Sequence, residues 1–477
     1  MSLRKSIFIS ALSANSLTLI GIVSSMIIAR ILTPTDLGAY AIAAVFVGLA
    51  HQFRDFGTST YLVQCQTIDK ESLGKALGLT VLSATALGLL VMALAPLAGW
   101  FYQTEQITYV LFILGVNFFI VPFGANTLAI LRRDMRFRER AIIDHASSIT
   151  GLVVSCACAW RGYGALSLAF GTLFSTIATT LCAGFYRPKQ HPWSIQFRNL
   201  KDIFSFGVSA TASAMITQLN RGVIEIIGGR FAGLEAVAFF NKAKSVTDHI
   251  GALLLGVAHQ VTLPVLSESH RKGELLAPIY LRTAALLTGF MWPACAFAAI
   301  FPLDILHFMF GPQWDAAAPM LQLMCLLTAL SSPLWLWSQP MFALGRPKPV
   351  LWGEILHLVC LLFGLAILAW GLKSSNLALA MIFTPPFVLG YAYRTLQRNL
   401  NFTHREFVGA LWPSAQTAVA VACTAYLLAT VTEEWHLAPR LLMSSVLCGI
   451  AWLAGIFIAK HPLKAEVMHV LRYTKLI

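Results

Sequence analysis

Ionisable side chains interrupt otherwise apolar sequence at two places. The first holds Asn220, Arg221 and Glu225; the second holds Lys242, Lys244 and Asp248. Arg221 and Glu225 are spaced i,i+4, as are Lys244 and Asp248, so on helices each pair can share a face and neutralise itself. Lys242 has no acid at helical spacing. Guanidinium and ammonium groups gathered in this way suit a phosphate or diphosphate, whose oxygens accept several charge-assisted hydrogen bonds. The same residues equally suit buried ion pairs between helices, with the Lys242 stem reaching outward to water.

Other polar residues stand nearby in the pattern. The amides of Asn15 and Gln218 could meet sugar hydroxyls in a central cleft, or bond to neighbouring helices. Arg54 and Asp55 could form a cytoplasmic gate, or a local salt bridge at a membrane interface. Glu354, with His357 at i,i+3, and Asp144, beside His145, join Glu225 and Asp248 as places for a coupling proton or Na+. Trp335 and Trp337 could stack on sugar rings, although an interfacial belt is the commoner use of tryptophan. The nine cysteines form no CxxC and no Cys/His cluster, so packing is their expected role. Walker A, HExxH and GxSxG patterns are absent. No cofactor, no metal and no enzymatic reaction are expected.

The elements that must position these residues are membrane helices. The chain of 477 residues is 57% hydrophobic and only 12% charged, with a mean hydropathy of +0.71. Soluble domains carry about 25% charged residues, so the exterior calls for lipid. About 20 apolar residues cross a bilayer. That yardstick predicts about fourteen helices, at roughly 8–31, 36–63, 74–99, 106–130, 141–161, 163–186, 205–230, 235–266, 278–302, 314–343, 349–372, 375–396, 407–431 and 438–459. The first is expected to stay uncleaved, being longer than a signal h-region.

The net charge of +13 is distributed as a membrane protein distributes it, and nucleic acid is not an expected partner. With the N-terminus inside, only Arg30, Arg161, Arg230, Lys373 and Arg440 fall in outer gaps. The remaining loop cations, among them Arg132, Arg133, Arg136, Arg138 and Arg140, fall in inner gaps. Both termini are therefore expected in the cytoplasm. At about 1.5 Å per residue, Arg221 lies about 14 Å inward from Arg230. Lys244 lies about 14 Å inward from Glu235 on the returning helix, which puts both cations near the bilayer midplane.

A shift of 200 residues lays Ile27, Arg30, Thr33 and Tyr40 on Ile227, Arg230, Gly233 and Phe240. Thr33 can cap a helix with Pro34 at its first position and Asp36 reaching back. Gly233-Leu234-Glu235 is a weaker version of that start. The expected plan is two parallel six-helix lobes, 1–186 and 205–398, joined by a basic linker over 187–204. Two further helices and a tail follow over 399–477. Parallel halves are a recurrent transporter plan, with substrate between them and alternating access.

Ile28-Ala29-Arg30-Ile31-Leu32-Thr33-Pro34-Thr35-Asp36-Leu37-Gly38-Ala39-Tyr40 closely resembles the first outer turn of bacterial polysaccharide flippases. Phe53-Arg54-Asp55-Phe56-Gly57 and Ala343-Leu344-Gly345-Arg346 look like further landmarks of that family, which belongs to the multidrug/oligosaccharidyl-lipid/polysaccharide exporter superfamily. The resemblance implies an undecaprenyl-pyrophosphate-linked oligosaccharide as substrate, a repeat unit of O-antigen, capsule or exopolysaccharide. It also implies a bacterial inner-membrane location, membrane lipid as a partner, and delivery to a periplasmic polymerase with its chain-length machinery. The family's cationic cavity would correspond to Arg221, Lys242 and Lys244, with Arg54 less directly. Glu225 and Asp248 depart from a purely cationic site. They keep open a cation-coupled multidrug antiporter of the same superfamily. A peptidoglycan-precursor flippase is a close relative of the same reading. A membrane polysaccharide polymerase or ligase is disfavoured by the short outer loops.

Overall fold

A computed structural model describes residues 3–55, 58, 70–187, 195–196, 201–372 and 375–473. Most of the expected 187–204 linker, Cys65 and the side chain of Asp55 lie outside the described residues. Among the described residues all regular structure is helical. Eleven helical segments are long and apolar enough to cross a membrane. Three more, Leu3–Ile31, Lys201–Phe231 and Leu234–Arg271, are 29, 31 and 38 residues long. The last two carry the ionisable runs 220–225 and 242–248, which lower their hydropathy. The chain is an all-α polytopic membrane protein, and each of the fourteen expected stretches corresponds to helical segments.

The chain divides into two compact units, Met1–Ala238 and Phe239–Ile477. The first contains α1 (Leu3–Ile31), α2 (Pro34–Asp55), α3 (Lys70–Tyr102), α4 (Glu105–Arg133), α5 (Phe137–Trp160), α6 (Leu166–Phe185) and α7 (Lys201–Phe231). It also takes the first turn of α8 (Leu234–Arg271). The boundary falls beyond the basic linker because α7 packs on α2. Small residues permit that contact. A Cβ at Gly222 would overlap Val45, and one at Gly38 would overlap the backbone carbonyl of Leu234.

One end of this unit is organised by Asp36. Its Oδ2 accepts from the Thr33 hydroxyl at 2.7 Å and from the Thr33 N–H at 3.3 Å, while its own N–H donates to Thr33 Oγ1 at 3.2 Å. This is the reciprocal capping box that the sequence predicts, built around Pro34 at the first helical position. Asp36 Oδ1 also accepts from the Ala165 N–H at 3.2 Å and from Gln106 Nε2 at 3.5 Å. One carboxylate thus ties the start of α2 to those of α6 and α4. Gly164, at φ +53°, sits so close that a Cβ would lie 2.6 Å from Asp36 Oδ1.

The second unit contains the rest of α8, then α9 (Leu276–Ile300), α10 (Pro302–Met309), α11 (Ala318–Ser331), α12 (Ser338–Ala343) and α13 (Lys348–Ile367). It ends with α14 (Gly390–Leu400), α15 (His404–Val431), α16 (Leu437–Ile458) and α17 (Leu463–Tyr473). The stretch expected as one helix over 314–343 is broken into a 3-10 turn Pro312–Ala317, α11, a second 3-10 turn Ser332–Leu334, and α12. Pro333 causes the break, since it has no N–H and its ring crowds the carbonyl four residues back. Likewise 375–396 becomes a 3-10 segment Leu377–Phe383, a π turn Pro385–Leu389 and α14, with Pro385 and Pro386 at the irregularity. The sequence did not foretell α10 or α17.

A buried histidine fastens the end of this unit. His461, between α16 and α17, is 1% exposed. Its Nδ1 accepts the Leu463 N–H at 3.0 Å, so Nε2 carries the proton and donates to Ser414 Oγ of α15 at 2.9 Å. The Ser414 hydroxyl in turn reaches the Ala285 carbonyl of α9 at 3.2 Å, beside Thr288 at 2.9 Å.

Candidate functional site

In the first unit the residues singled out by spacing fall on four helices. On α7, Asn220 and Glu225 are buried, Gln218 is half-buried and Arg221 is exposed. Gln218 lies over Gly48 of α2, its Nε2 2.7 Å from where a Cβ would be. The Tyr102 hydroxyl of α3 donates to the Ile226 carbonyl at 2.8 Å, fixing α7 one residue beyond Glu225. Asn15 is exposed on α1. Asp144 on α5 stands 3.4 Å from Arg140 Nε, in an i,i+4 ion pair. His145 beside it meets Ser16 Oγ of α1 at 2.7 Å.

Arg54, at the end of α2, is buried. Its Nη1 lies 2.7 Å from His51 Nδ1, and the His51 ring stacks on Phe118 of α4 with centroids 4.5 Å apart. The Ser83 hydroxyl of α3 donates to the Arg54 carbonyl at 2.9 Å. Arg54 also lines a cavity of about 240 Å³ together with Arg132 and Arg140. Sequence reasoning used those two arginines only to orient the chain. The basic density of 132–140 was their signal, but spacing along the chain does not bring α2 to the turn between α4 and α5.

In the second unit Lys242 is buried on α8. Its ammonium lies 4.7 Å from the ring centre of Phe310 and 5.6 Å from that of Trp314. Trp314 is fully buried and is met edge-on by Phe239 at 5.8 Å. The expectation that the Lys242 stem reaches outward to water is therefore replaced by an aromatic cage, in which ring quadrupoles offset lost hydration. Phe310 and Trp314 were missed because they flank Gly311 and Pro312 in a turn, far from Lys242 in sequence. Lys244 is half-buried, 6.0 Å from the Phe240 ring centre. Asp248 is exposed and Glu354 is half-buried on α13. Trp337 meets Tyr391 edge-on at 6.1 Å. Among the described residues no three His, Cys, Asp or Glu side chains gather as a metal-binding group.

The residues are thus distributed over both units, cations and amides alternating with acids, on helices of membrane length. Comparison with known proteins gives this pattern a context. The model of the family described as "Polysaccharide biosynthesis protein" matches residues 27–319. The "Lipopolysaccharide biosynthesis protein WzxC" of Escherichia coli (strain K12) is 22% identical over 462 residues, covering 94% of this chain and 92% of the relative. The "Succinoglycan biosynthesis transport protein ExoT" of Rhizobium meliloti (strain 1021) is 24% identical over 425 residues, covering 86% of this chain and 82% of the relative. A solved structure of "Lipid II flippase MurJ, inward closed conformation" is similar in fold, with a TM-score of 0.76 at 14% identity, covering 94% of this chain and 98% of that one. With the family model spanning more than half of its length, the chain belongs to the family described as "Polysaccharide biosynthesis protein".

Proposed function

We propose that the protein flips an undecaprenyl-diphosphate-linked oligosaccharide from the cytoplasmic to the periplasmic leaflet of a bacterial inner membrane, by alternating access. It acts as a transporter, not an enzyme, with both termini cytoplasmic, and supplies a periplasmic polymerase and its chain-length machinery. The observation that carries this reading is the polysaccharide-biosynthesis match over residues 27–319, on helices of membrane length. In this reading Arg221, Lys242 and Lys244 meet the anionic head group. Asn220, Asn15 and Gln218 meet sugar hydroxyls, and Arg54 with Asp55 forms the cytoplasmic gate. Glu225, Asp248, Glu354 and Asp144 are the acids available to a coupling proton or Na+. The Lys242 cage supports its role, since a cation held by ring faces is fixed in position.

Deletion of the gene is expected to remove a surface polysaccharide, which the intact chain restores. Arg221→Ala and Lys244→Ala are expected to fail in that restoration while reaching the membrane at normal levels. Unchanged polysaccharide with raised drug sensitivity in the deletion strain would replace this reading with a multidrug antiporter.

A further inference from the structure

Three arginines from three helices line the 240 Å³ cavity of the first unit: Arg54 from the end of α2, Arg132 from the end of α4 and Arg140 from the first turn of α5. Threonines 176, 179 and 180 of α6 complete the polar wall, and among the described residues no carboxylate lines it. Two acids nearby are engaged with arginines. Asp144 holds Arg140 through Nε at 3.4 Å, which fixes that side chain, and Glu139 is bonded to Arg136 at 2.9–3.0 Å. His51 fixes Arg54 at 2.7 Å.

Like charges drawn together in a partly desolvated space repel one another, and a polyvalent anion between them turns that repulsion into attraction. Guanidinium forks match phosphate oxygens in geometry as well as charge. At about 240 Å³ the cavity has room for two linked phosphate groups. On the orientation read from the basic gaps, the cavity lies at the cytoplasmic end of the unit.

We propose that this pocket binds a diphosphate group, with Arg132 and Arg140 clamping its oxygens and the buried Arg54 closing the inner wall. The source of that diphosphate as a lipid carrier rests on the flippase reading; the chemistry of the pocket does not.

The test uses the purified full-length protein in detergent, with inorganic pyrophosphate and geranylgeranyl diphosphate as probes and geranylgeraniol as the phosphate-free control. Melting temperature is followed against probe concentration at constant ionic strength. Saturable stabilisation by pyrophosphate is expected, weakened at least tenfold in Arg132→Gln and in Arg140→Gln. Arg138→Gln, whose exposed side chain does not line the cavity, is expected to bind like the wild type. Geranylgeranyl diphosphate competing at equal or lower concentration supports the site with a lipid as its source. Pyrophosphate binding that this lipid does not displace supports the site with a soluble phosphate as its source. Absence of binding by the wild type, or unchanged binding by both glutamine variants, overturns the proposal. Polymer export is scored separately, so a strain that exports normally without the pocket's binding loses this site and keeps the flippase reading.

Discussion

The Thr35 hydroxyl donates to Glu235 Oε1 at 3.0 Å, across the same 200 residues as the shift that lays Arg30 on Arg230. Thr35 is the second residue of α2 and Glu235 the second residue of α8. Corresponding positions of the two helix starts therefore touch. Each helix start carries partial positive charge from its unpaired N–H groups. A single carboxylate set beside both starts offsets the repulsion between them.

Glu235→Gln is expected to lower stability by about 0.5–1 kcal/mol, the ordinary scale for a charge at a helix end. Thr35→Ala is expected to cost less. Thermal unfolding in detergent at low and high salt checks both, because the Glu235 effect should shrink as salt screens it.

Asp36→Ala removes the cap of α2 and leaves the Ala165 N–H and Gln106 without their acceptor. Loss of a cap and of a buried acceptor predicts a destabilisation of about 2–4 kcal/mol. Asp36→Asn should cost less, since its carbonyl oxygen still serves one of the two sides. Gly164→Ala should mimic the Asp36 loss in part, through a strained positive φ and a collision with Oδ1. Melting temperatures of the three variants give the ranking.

Lys242→Met should leave the melting temperature unchanged or raised, because an apolar chain fills a cage of aromatic rings without burying charge. Polysaccharide export should nevertheless fall. Phe310→Leu weakens the cage by about 1–2 kcal/mol, and export should fall less. A Lys242→Met strain exporting at wild-type level would remove this cation from the proposed binding site.

Burial pushes the His461 imidazole below its ordinary pKa of 6.5. The folded protein thus favours the neutral ring, whose Nδ1 must stay unprotonated to accept the Leu463 N–H. Its contribution to stability is fully present above pH 6.5 and is lost as pH falls through the lowered value. His461→Gln should flatten that acid limb, and Gly289→Ala, whose Cβ would overlap the ring, should destabilise at every pH. Melting curves from pH 7.5 down to 4.5 separate the two.

The sequence made the helical plan readable because bilayer thickness sets one dominant length scale. The Thr33–Pro34–Asp36 start was readable for a different reason: a capping box is complete within four residues. Interruptions at Pro333 and Pro385 were less so, since proline bends one membrane helix and breaks another according to its neighbours. Contacts formed by distant residues left no periodic trace. The second set of partners of Asp36, the aromatic pair around Lys242 and the cavity shared by Arg54, Arg132 and Arg140 all depend on which helices pack together. In each case the sequence marked one participant by its chemistry and gave no sign of the others.

The cage around Lys242 bears on speed as well as strength. A lysine on an open surface gives up rotamer freedom and several waters when an anion arrives. Seated between Phe310 and Trp314, this one has surrendered much of both during folding. For the anion of the proposed function, capture and release at this residue would be governed chiefly by the anion's own hydration and motion, a property suited to a ligand that must be held briefly and let go.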